Sequence, residues 1–144
     1  MADGIFIYSY SETSQRFVIL DELGEVAFIY LSEKGSQKPE KDALAYMRIT
    51  PPKEVSWKEM AEAGKPPILS EEYASSMAVL QESKESHFAF KWSVDGESAA
   101  LLYKGSPIAF ISSESEYGYS KAVSKSNPIS SPWDQNLYEQ IFGK

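Results

Sequence analysis

Residues 88–112 constrain the fold of this chain more than any other stretch of the sequence. Large aromatic residues alternate with smaller or polar ones over 88–92, which is the period-two pattern of a strand with one buried face. Asp95-Gly96 follows, and this dipeptide is typical of a type I′ hairpin turn, in which both central residues need positive φ. Residues 98–112 predict two further strands separated by a Lys-Gly turn. The pattern therefore predicts a three-stranded antiparallel meander.

The N-terminal third predicts a second group of strands. Residues 4–10 alternate, with Ile5 and Ile7 on one side and Phe6, Tyr8 and Tyr10 on the other. Residues 15–20 and 25–32 flank a Glu-Leu-Gly turn and predict a hairpin. Both of these strands are apolar on two faces, as is expected of strands covered on both sides. A polar loop over 33–42 then leads to a further predicted strand at 43–49.

Three short helices are also predicted. Ser56 and the glutamate three residues later have capping-box spacing, so a helix over 57–63 is expected to end at Gly64. Residues 70–80 carry Tyr, Met and Leu at helical spacing, after a serine cap and two glutamates at the positive end of the helix, with the alternative that the tail over 76–80 is extended. Residues 133–142 predict a C-terminal docking helix, because Trp, Leu and Ile lie along one stripe.

The order of hairpins, helices, meander and helix predicts the α+β class. We expect a single domain over residues 1–144, with a mostly antiparallel sheet built from two hairpin or meander units and two or three short helices. A chain of 144 residues is long enough to bury roughly 70% of its unfolded surface in one core. Its 7 Phe, 9 Tyr and 3 Trp argue against disorder. Strand order and oligomeric state stay open at this level.

The composition excludes several kinds of chemistry. The chain has no cysteine, so disulfides, thiolate nucleophiles and Cys-ligated metals are ruled out. It contains neither a Walker A loop nor a Gly-x-Gly-x-x-Gly sequence, so the usual nucleotide cradles are not expected. The N-terminus lacks the features of a secretory signal, and no window approaches the roughly 20 apolar residues that span a bilayer. A cytoplasmic protein without a membrane partner is the simplest interpretation, although the absence of cysteine is equally compatible with a periplasmic mature chain.

The charge balance indicates the kind of macromolecule the chain would meet. The formal net charge is −7, and Arg16 and Arg48 are the only arginines. Nucleic-acid binding needs clustered Arg and Lys to neutralise phosphates, so no nucleic-acid partner is expected. An acidic surface keeps a protein soluble, and it also suits a basic protein partner, because opposite charges steer the encounter.

Candidate catalytic groups are few. His87 is the only histidine and is predicted on a strand, opposite its aromatic face, with nothing near it that suggests a nucleophile. One His and no Cys make a metal site or a metal cofactor unexpected. Carboxylates cluster within 21–25, 71–72, 82–85 and 114–116, mostly at predicted turns and helix starts, where acids favour capping and solubility. A paired-carboxylate site, as in glycoside hydrolysis, stays open as an alternative.

The polar run over 113–120, Ser-Glu-Ser-Glu-Tyr-Gly-Tyr-Ser, follows the last meander strand. Tyrosine is enriched in interface hot spots, and acids beside it suit a basic partner. Loops on rigid scaffolds often carry binding residues. We therefore predict a partner-binding site at Glu114, Glu116, Tyr117 and Tyr119, with the alternative that the tyrosines fold back on the sheet.

A series of turn glycines and sheet residues runs through residues 18–135. It comprises Leu23-Gly24-Glu25, Tyr30, Trp92-Ser93-x-Asp95-Gly96, Ala100-Leu101-Leu102, Gly105, Ala109-Phe110, Gly118-Tyr119-Ser120-Lys121, Pro128 and Trp133. This series resembles a family of small uncharacterised bacterial proteins with a Trp-Ser-x-Asp-Gly hairpin. The aspartate usual after the last meander strand of that family is replaced here by Ser112 or Ser113. Such proteins are similar to the immunity proteins that accompany bacterial toxins, and the resemblance implies an inhibitor.

Three functions remain open on these grounds. The first is a non-enzymatic immunity or inhibitor protein, without a cofactor, that neutralises a basic toxin-like protein. The second is a small carboxylate-dependent enzyme with a cleft between helix 57–63 and the sheet. The third is a small-ligand-binding accessory domain, which a pocket lined by Trp57, Trp92 and Trp133 would favour. Charge, size, the lack of a catalytic constellation and the 113–120 run favour the first.

Overall fold

A computed structural model describes residues 4–143 of the chain as two sheets and two α-helices. The first sheet has the order β1 Phe6–Ser11, β2 Arg16–Glu22, β3 Val26–Ser32 and β4 Pro39–Met47. The second has the order β5 Phe88–Trp92, β6 Ser98–Tyr103, β7 Ser106–Ser112, β8 Tyr119–Ser120 and β9 Ser131–Pro132. Neighbouring strands are antiparallel except for β8 and β9. The helices are α1 Trp57–Glu62 and α2 Gln135–Phe142. The predicted α+β class, mostly antiparallel, is confirmed.

The main core lies between the two sheets, where β3 and β4 face β6, β7 and β8. Leu20 and Ile29 of the first sheet are fully buried in one cluster with Leu101 and Ile111 of the second. Burying each such side chain contributes about 1.5–3 kcal/mol. The alternation predicted for the meander is confirmed along β5 and β6, where every second residue faces this core.

The outer face of the first sheet is covered over only half its width. Val26, Phe28 and Leu44 on β3 and β4 are buried under the segment that contains Leu69 and Val79. The outer face of β1 and β2 has no such cover among the described residues, and its side chains are exposed or half-buried. This difference leaves an aromatic surface on one half of the sheet.

The outer face of the second sheet is covered by α2. Phe110 on β7 is fully buried, and its ring lies 5.3 Å from the ring of Trp133 and 5.8 Å from that of Tyr138. The carboxylate of Asp134 caps the helix by accepting a hydrogen bond of 3.0 Å from the amide of Leu137. The predicted C-terminal docking helix is confirmed.

The helix predicted over 70–80 is wrong. Met47 of β4 exchanges backbone hydrogen bonds with this segment, since its amide donates to Ala78 at 2.7 Å and its carbonyl accepts from Leu80 at 3.0 Å. The amide of Ser75 donates to the carbonyl of Ala122 at 2.8 Å. Pairing to the edge of β4 satisfies backbone groups that the sheet would otherwise leave open, and this tertiary gain outweighs the local helical pattern.

The predicted helix at 57–63 is confirmed, with Ser56 accepting from the amide of Glu59.

Two turns differ from expectation. The turn at Asp95-Gly96 is not of the predicted type I′, because Asp95 lacks positive φ, whereas both residues of the predicted Lys104-Gly105 turn have the positive φ of that type. β5 and β6 are joined by a longer loop over 93–97, in which Gly96 alone has positive φ. The loop predicted over 33–42 is also shorter, because β4 begins at Pro39, where the first position of a strand tolerates a residue without an amide donor.

No helix within residues 4–143 combines the length and the apolar composition needed to cross a bilayer.

Candidate functional site

The predicted site residues lie in and just after the loop that joins β7 to β8. Glu114 and Glu116 are exposed, and Tyr117 is 43% exposed to solvent. Tyr119 does not face outward with them. Its ring stacks on Phe110 at a centroid distance of 4.8 Å and an angle of 13°, as part of the aromatic cluster under α2. Tyr119 therefore fits the alternative that a tyrosine of this run folds back on the sheet, and its part in partner binding stays a prediction.

A groove of about 480 Å³ opens beside this loop. One wall is the 93–97 loop, the second is the start of the 113–118 loop, and the third is the side of α2. Its lining residues are Ser93, Val94, Asp95, Glu97, Ser98, Ser112, Glu114, Ser115, Leu137, Gln140 and Ile141. The groove thus combines three carboxylates with three aliphatic side chains and four serines.

Hydrogen bonds within the 93–97 loop hold the carboxylate of Asp95 in place. The amide of Gly96 donates to the carbonyl of Ser93 at 3.0 Å, which closes a β-turn. The carboxylate of Asp95 accepts from the amide of Glu97 at 3.0 Å and from the hydroxyl of Ser93 at 2.8 Å. These hydrogen bonds lower the pKa of Asp95 below 3.8, since they favour its charged form. Asp95 is therefore a fixed negative charge at neutral pH.

Val94 at the tip of the same loop is 98% exposed. An aliphatic side chain held in water at a turn tip contributes no burial to this fold. Sequence reasoning treated 93–97 only as a turn and missed Val94. The available signal was an isolated valine between Ser and Asp in a turn otherwise made of small and polar residues.

Glu97 has a different role from the other two acids of the groove. Its carboxylate accepts from Arg16 Nε at 3.0 Å and from the hydroxyl of Ser113 at 2.9 Å, and it lies 3.3 Å from Lys34 Nζ. Arg16 also donates to Glu40 at 2.9 Å, so this network ties the first sheet to the second. Arg16 and Lys34 together offset the charges of Glu40 and Glu97, so the remaining negative charge of the groove comes from Asp95 and Glu114, with Glu116 nearby on the same loop.

The electrostatics of the groove suit a cation attached to an apolar surface. Fixed carboxylates attract ammonium and guanidinium groups, while Val94, Leu137 and Ile141 offer aliphatic contact.

Within residues 4–143, no group of three or more His, Cys, Asp or Glu side chains is placed to hold a metal ion.

His87 lies outside the groove and precedes β5 in a short 3₁₀ turn, so its predicted place on the strand is wrong. Its Nε2 lies 3.4 Å from Glu82 Oε1, and its ring meets that of Tyr103 edge-on at 5.5 Å. The turn is set by hydrogen bonds at both ends, since the amide of His87 donates to Lys84 and the carbonyl accepts from Lys104.

The other predicted acids take separate structural contacts. Glu22 accepts hydrogen bonds from Tyr46 at 2.5 Å and from Ser83 at 2.9 Å. Burial raises the pKa of the Tyr46 hydroxyl, and the contact with Glu22 raises it further. Glu72 forms an ion pair of 2.8 Å with Lys125.

The three tryptophans are not brought together. Trp57 donates to the carbonyl of Ile68 at 2.8 Å, and Trp92 donates to the hydroxyl of Ser9 at 2.9 Å. Trp133 belongs to the cluster under α2. The single pocket that would have joined them is therefore absent from the described part of the chain.

The two tyrosines of the predicted site should separate in experiment. Tyr119→Ala is expected to lower the free energy of unfolding by about 3 kcal/mol, because it removes a ring stacked in the cluster under α2. Tyr117→Ala, which removes an exposed ring, should leave stability within about 0.5 kcal/mol of wild type. Urea unfolding followed by circular dichroism measures both values. Equal losses for the two variants would contradict the separate roles assigned here.

Comparison of the chain with protein-family models, with curated proteins and with solved structures finds no match in any of the three.

Proposed function

We propose that this chain is a non-enzymatic protein-binding protein that neutralises a basic bacterial toxin, with the groove beside α2 as its recognition surface. The observation that carries the proposal is the groove itself. It places the fixed charge of Asp95 and the exposed Glu114 next to aliphatic side chains, on a chain of net charge −7.

Each part of the groove has a function in such an interface. Exposed carboxylates steer a basic protein into contact and reject acidic ones, so they act mainly on the association rate and on specificity. Val94, Tyr117 and the half-buried side chains of α2 supply apolar area that water leaves on binding. The loops that carry these residues emerge from strands buried in the core, so little ordering is required when the partner docks.

Neutralisation follows from occlusion. A basic toxin that acts on nucleic acid or on an anionic surface presents Lys and Arg side chains at its working site. A partner whose carboxylates occupy those side chains prevents that site from meeting its substrate, and no bond is made or broken. The proposal therefore needs a stable surface and assigns no catalytic residue.

A variant of the groove charges tests the proposal. Glu114→Lys and Glu116→Lys are combined with Asp95→Asn, which keeps an oxygen acceptor for the 93–97 loop. The binding probe is a basic protein encoded beside the gene for this chain whose expression alone arrests growth. The groove variant is expected to bind this protein at least about tenfold more weakly and to lose rescue of growth.

The matched control carries the same change in net charge at exposed acids elsewhere. It combines Glu25→Lys and Glu54→Lys with Glu62→Gln, and it should bind and rescue as wild type does. Equal weakening by both variants would mean that net charge alone governs binding. Wild-type affinity in the groove variant would remove the groove from the interface, and failure of the wild-type chain to rescue growth would overturn the inhibitor function.

A further inference from the structure

β1 leaves one side of its backbone open. Within residues 4–143 it lies at the end of the first sheet and pairs only with β2. The amide of Glu22 donates to the carbonyl of Ile5 at 2.8 Å, which fixes the phase of this pairing. Because hydrogen-bonded residues alternate along an antiparallel ladder, the amides and carbonyls of Phe6, Tyr8 and Tyr10 point to the open side.

The same three residues also carry the exposed aromatic surface of the sheet. Phe6 is 59% exposed, Tyr8 63% and Tyr10 46%. The ring of Phe17 on β2 lies 4.8 Å from that of Tyr10 and 5.9 Å from that of Tyr8. A hollow of about 240 Å³ on this face is lined by Phe6, Tyr8, Phe17, Ile19 and Gln37. Open backbone groups and exposed rings therefore coincide on one strand.

Within the part of the chain that the structure describes, the edges at β4 and β5 are protected and the edge at β1 is not. β4 begins with Pro-Glu-Lys-Asp, has a register shift against β3, and is covered at Met47 by Val79. β5 is only five residues long and carries Lys91. Charges, proline, bulges and cover are the devices that keep an edge strand from pairing. The sequence of β1, Phe-Ile-Tyr-Ser-Tyr-Ser, contains no proline and no residue charged at neutral pH.

We propose that β1 pairs with β1 of a second copy of this chain, antiparallel about a twofold axis that passes next to Tyr8. In this register Tyr8 lies opposite its own copy and Phe6 lies opposite Tyr10, so all the open backbone groups of the three residues find partners. The aromatic rings then form three cross-strand pairs on one face, each of which stabilises the pairing. The two four-stranded sheets become one sheet of eight strands.

Charge favours a second copy over a basic protein as the occupant. β1 offers no carboxylate to a cationic strand, whereas an identical uncharged strand loses nothing by burying it. The exposed area of three rings is well below the roughly 800 Å² per partner of a standard interface, so the dimer is expected to be weak, with a dissociation constant in the micromolar range or above. Two chains of net charge −7 repel each other, so added salt should strengthen this dimer, whereas it weakens binding at the acidic groove.

Sedimentation velocity on the full chain tests the pairing. Wild type should show dimer that increases with concentration up to about 1 mM and increases again when NaCl is raised from 0.05 to about 0.5 M. Tyr8→Lys, a charge on an exposed edge position, should remain monomeric under the same conditions. Ala89→Lys places the same charge at an exposed position of the β5 edge and should dimerise as wild type does. Wild type that stays monomeric throughout overturns the proposal.

Cysteine cross-linking tests the register and does not depend on the folding of the lysine variant. The chain has no cysteine, so Tyr8→Cys introduces the only thiol. Opposed residues in a hydrogen-bonded pair have Cα atoms about 5.5 Å apart, within reach of a disulfide. In a glutathione redox buffer, Tyr8→Cys should form a covalent dimer at least tenfold faster than Phe6→Cys, and a mixture of Phe6→Cys with Tyr10→Cys should form the mixed dimer. Equal rates for Tyr8→Cys and Phe6→Cys overturn the register. If wild type stays monomeric and Tyr8→Lys no longer binds the basic partner, the β1 edge is a binding surface for that partner and not for a second copy.

Discussion

Gly96→Ala is expected to lower the free energy of unfolding by about 3 kcal/mol. Two costs add at this position. Gly96 has φ of +72°, where a residue with a Cβ is strained, and an alanine Cβ would lie 2.5 Å from Ser11 Oγ and 2.8 Å from Ser14 Cβ. The 93–97 loop of the second sheet therefore packs directly on the turn between β1 and β2. Urea unfolding of the variant and wild type measures the loss.

Gly105→Ala is the matched control for this prediction. Gly105 has φ of +86°, but no atom lies within 4 Å of the Cβ that alanine would add. Its loss is expected to be about 1 kcal/mol, which is the cost of the backbone conformation alone. If the two variants lose the same stability, the close contact between the loops at Gly96 does not exist as described.

Arg16→Met is the second substitution with a large expected effect. Arg16 has an exposed side-chain fraction of 8%, and its guanidinium donates to Ser32, Glu40 and Glu97 across the two sheets. Methionine keeps the apolar stem but leaves these acceptors without their cation, at an expected cost of about 3 kcal/mol. The control is Lys34→Met: Lys34 is 61% exposed beside the same Glu97, so less than about 1 kcal/mol should be lost.

The same network makes stability depend on pH. Burial acts to raise the pKa of Glu97, but the hydrogen bond from Ser113 and the charges of Lys34 and Arg16 outweigh it and lower the pKa below 4.5. A carboxylate whose pKa is lower in the folded state contributes stability above pH 4.5 and loses it as pH falls through the folded value. Unfolding free energies measured between pH 7 and pH 3 should therefore fall more steeply for wild type than for Glu97→Gln. Parallel curves would exclude Glu97 as a source of the acid sensitivity.

The meander was predictable from sequence because its determinants are local. The alternation over 88–92 and the Lys-Gly turn at 104–105 act between neighbouring residues and need no knowledge of the rest of the chain. The segment 70–80 failed for the opposite reason. Its backbone pairs with Met47 and Ala122, which are distant in sequence, and no local pattern encodes those partners.

The candidate site was predictable only in part. Glu114, Glu116 and Tyr117 are exposed, as a polar run after a strand tends to be, and their part in binding a partner stays a prediction. The direction of Tyr119 depends on Phe110 and on where α2 docks, and these are tertiary facts. Asp95 was assigned to a turn, and only the folded chain brings it into one groove with Glu114.

Binding at the acidic groove and dimerisation at the β1 edge are expected to respond to salt in opposite directions. The acidic groove should release a basic partner as ionic strength rises, whereas the β1 edge should associate more strongly. The two proposed interactions can therefore be separated in a single preparation. Glu114 and Glu116 of the groove and Tyr8 of β1 lie on different elements, so variants at these positions test the two interactions separately.

Chemical-shift mapping of the complex tests the groove most directly. Amide spectra of the isotopically labelled chain would be recorded with and without the basic partner defined by growth arrest. The largest changes are expected at residues 93–97, at residues 113–117 and along α2, while α1 and residues 6–10 of β1 stay unchanged. A footprint centred on α1 or on the β1 face, with the groove amides unmoved, would contradict this expectation.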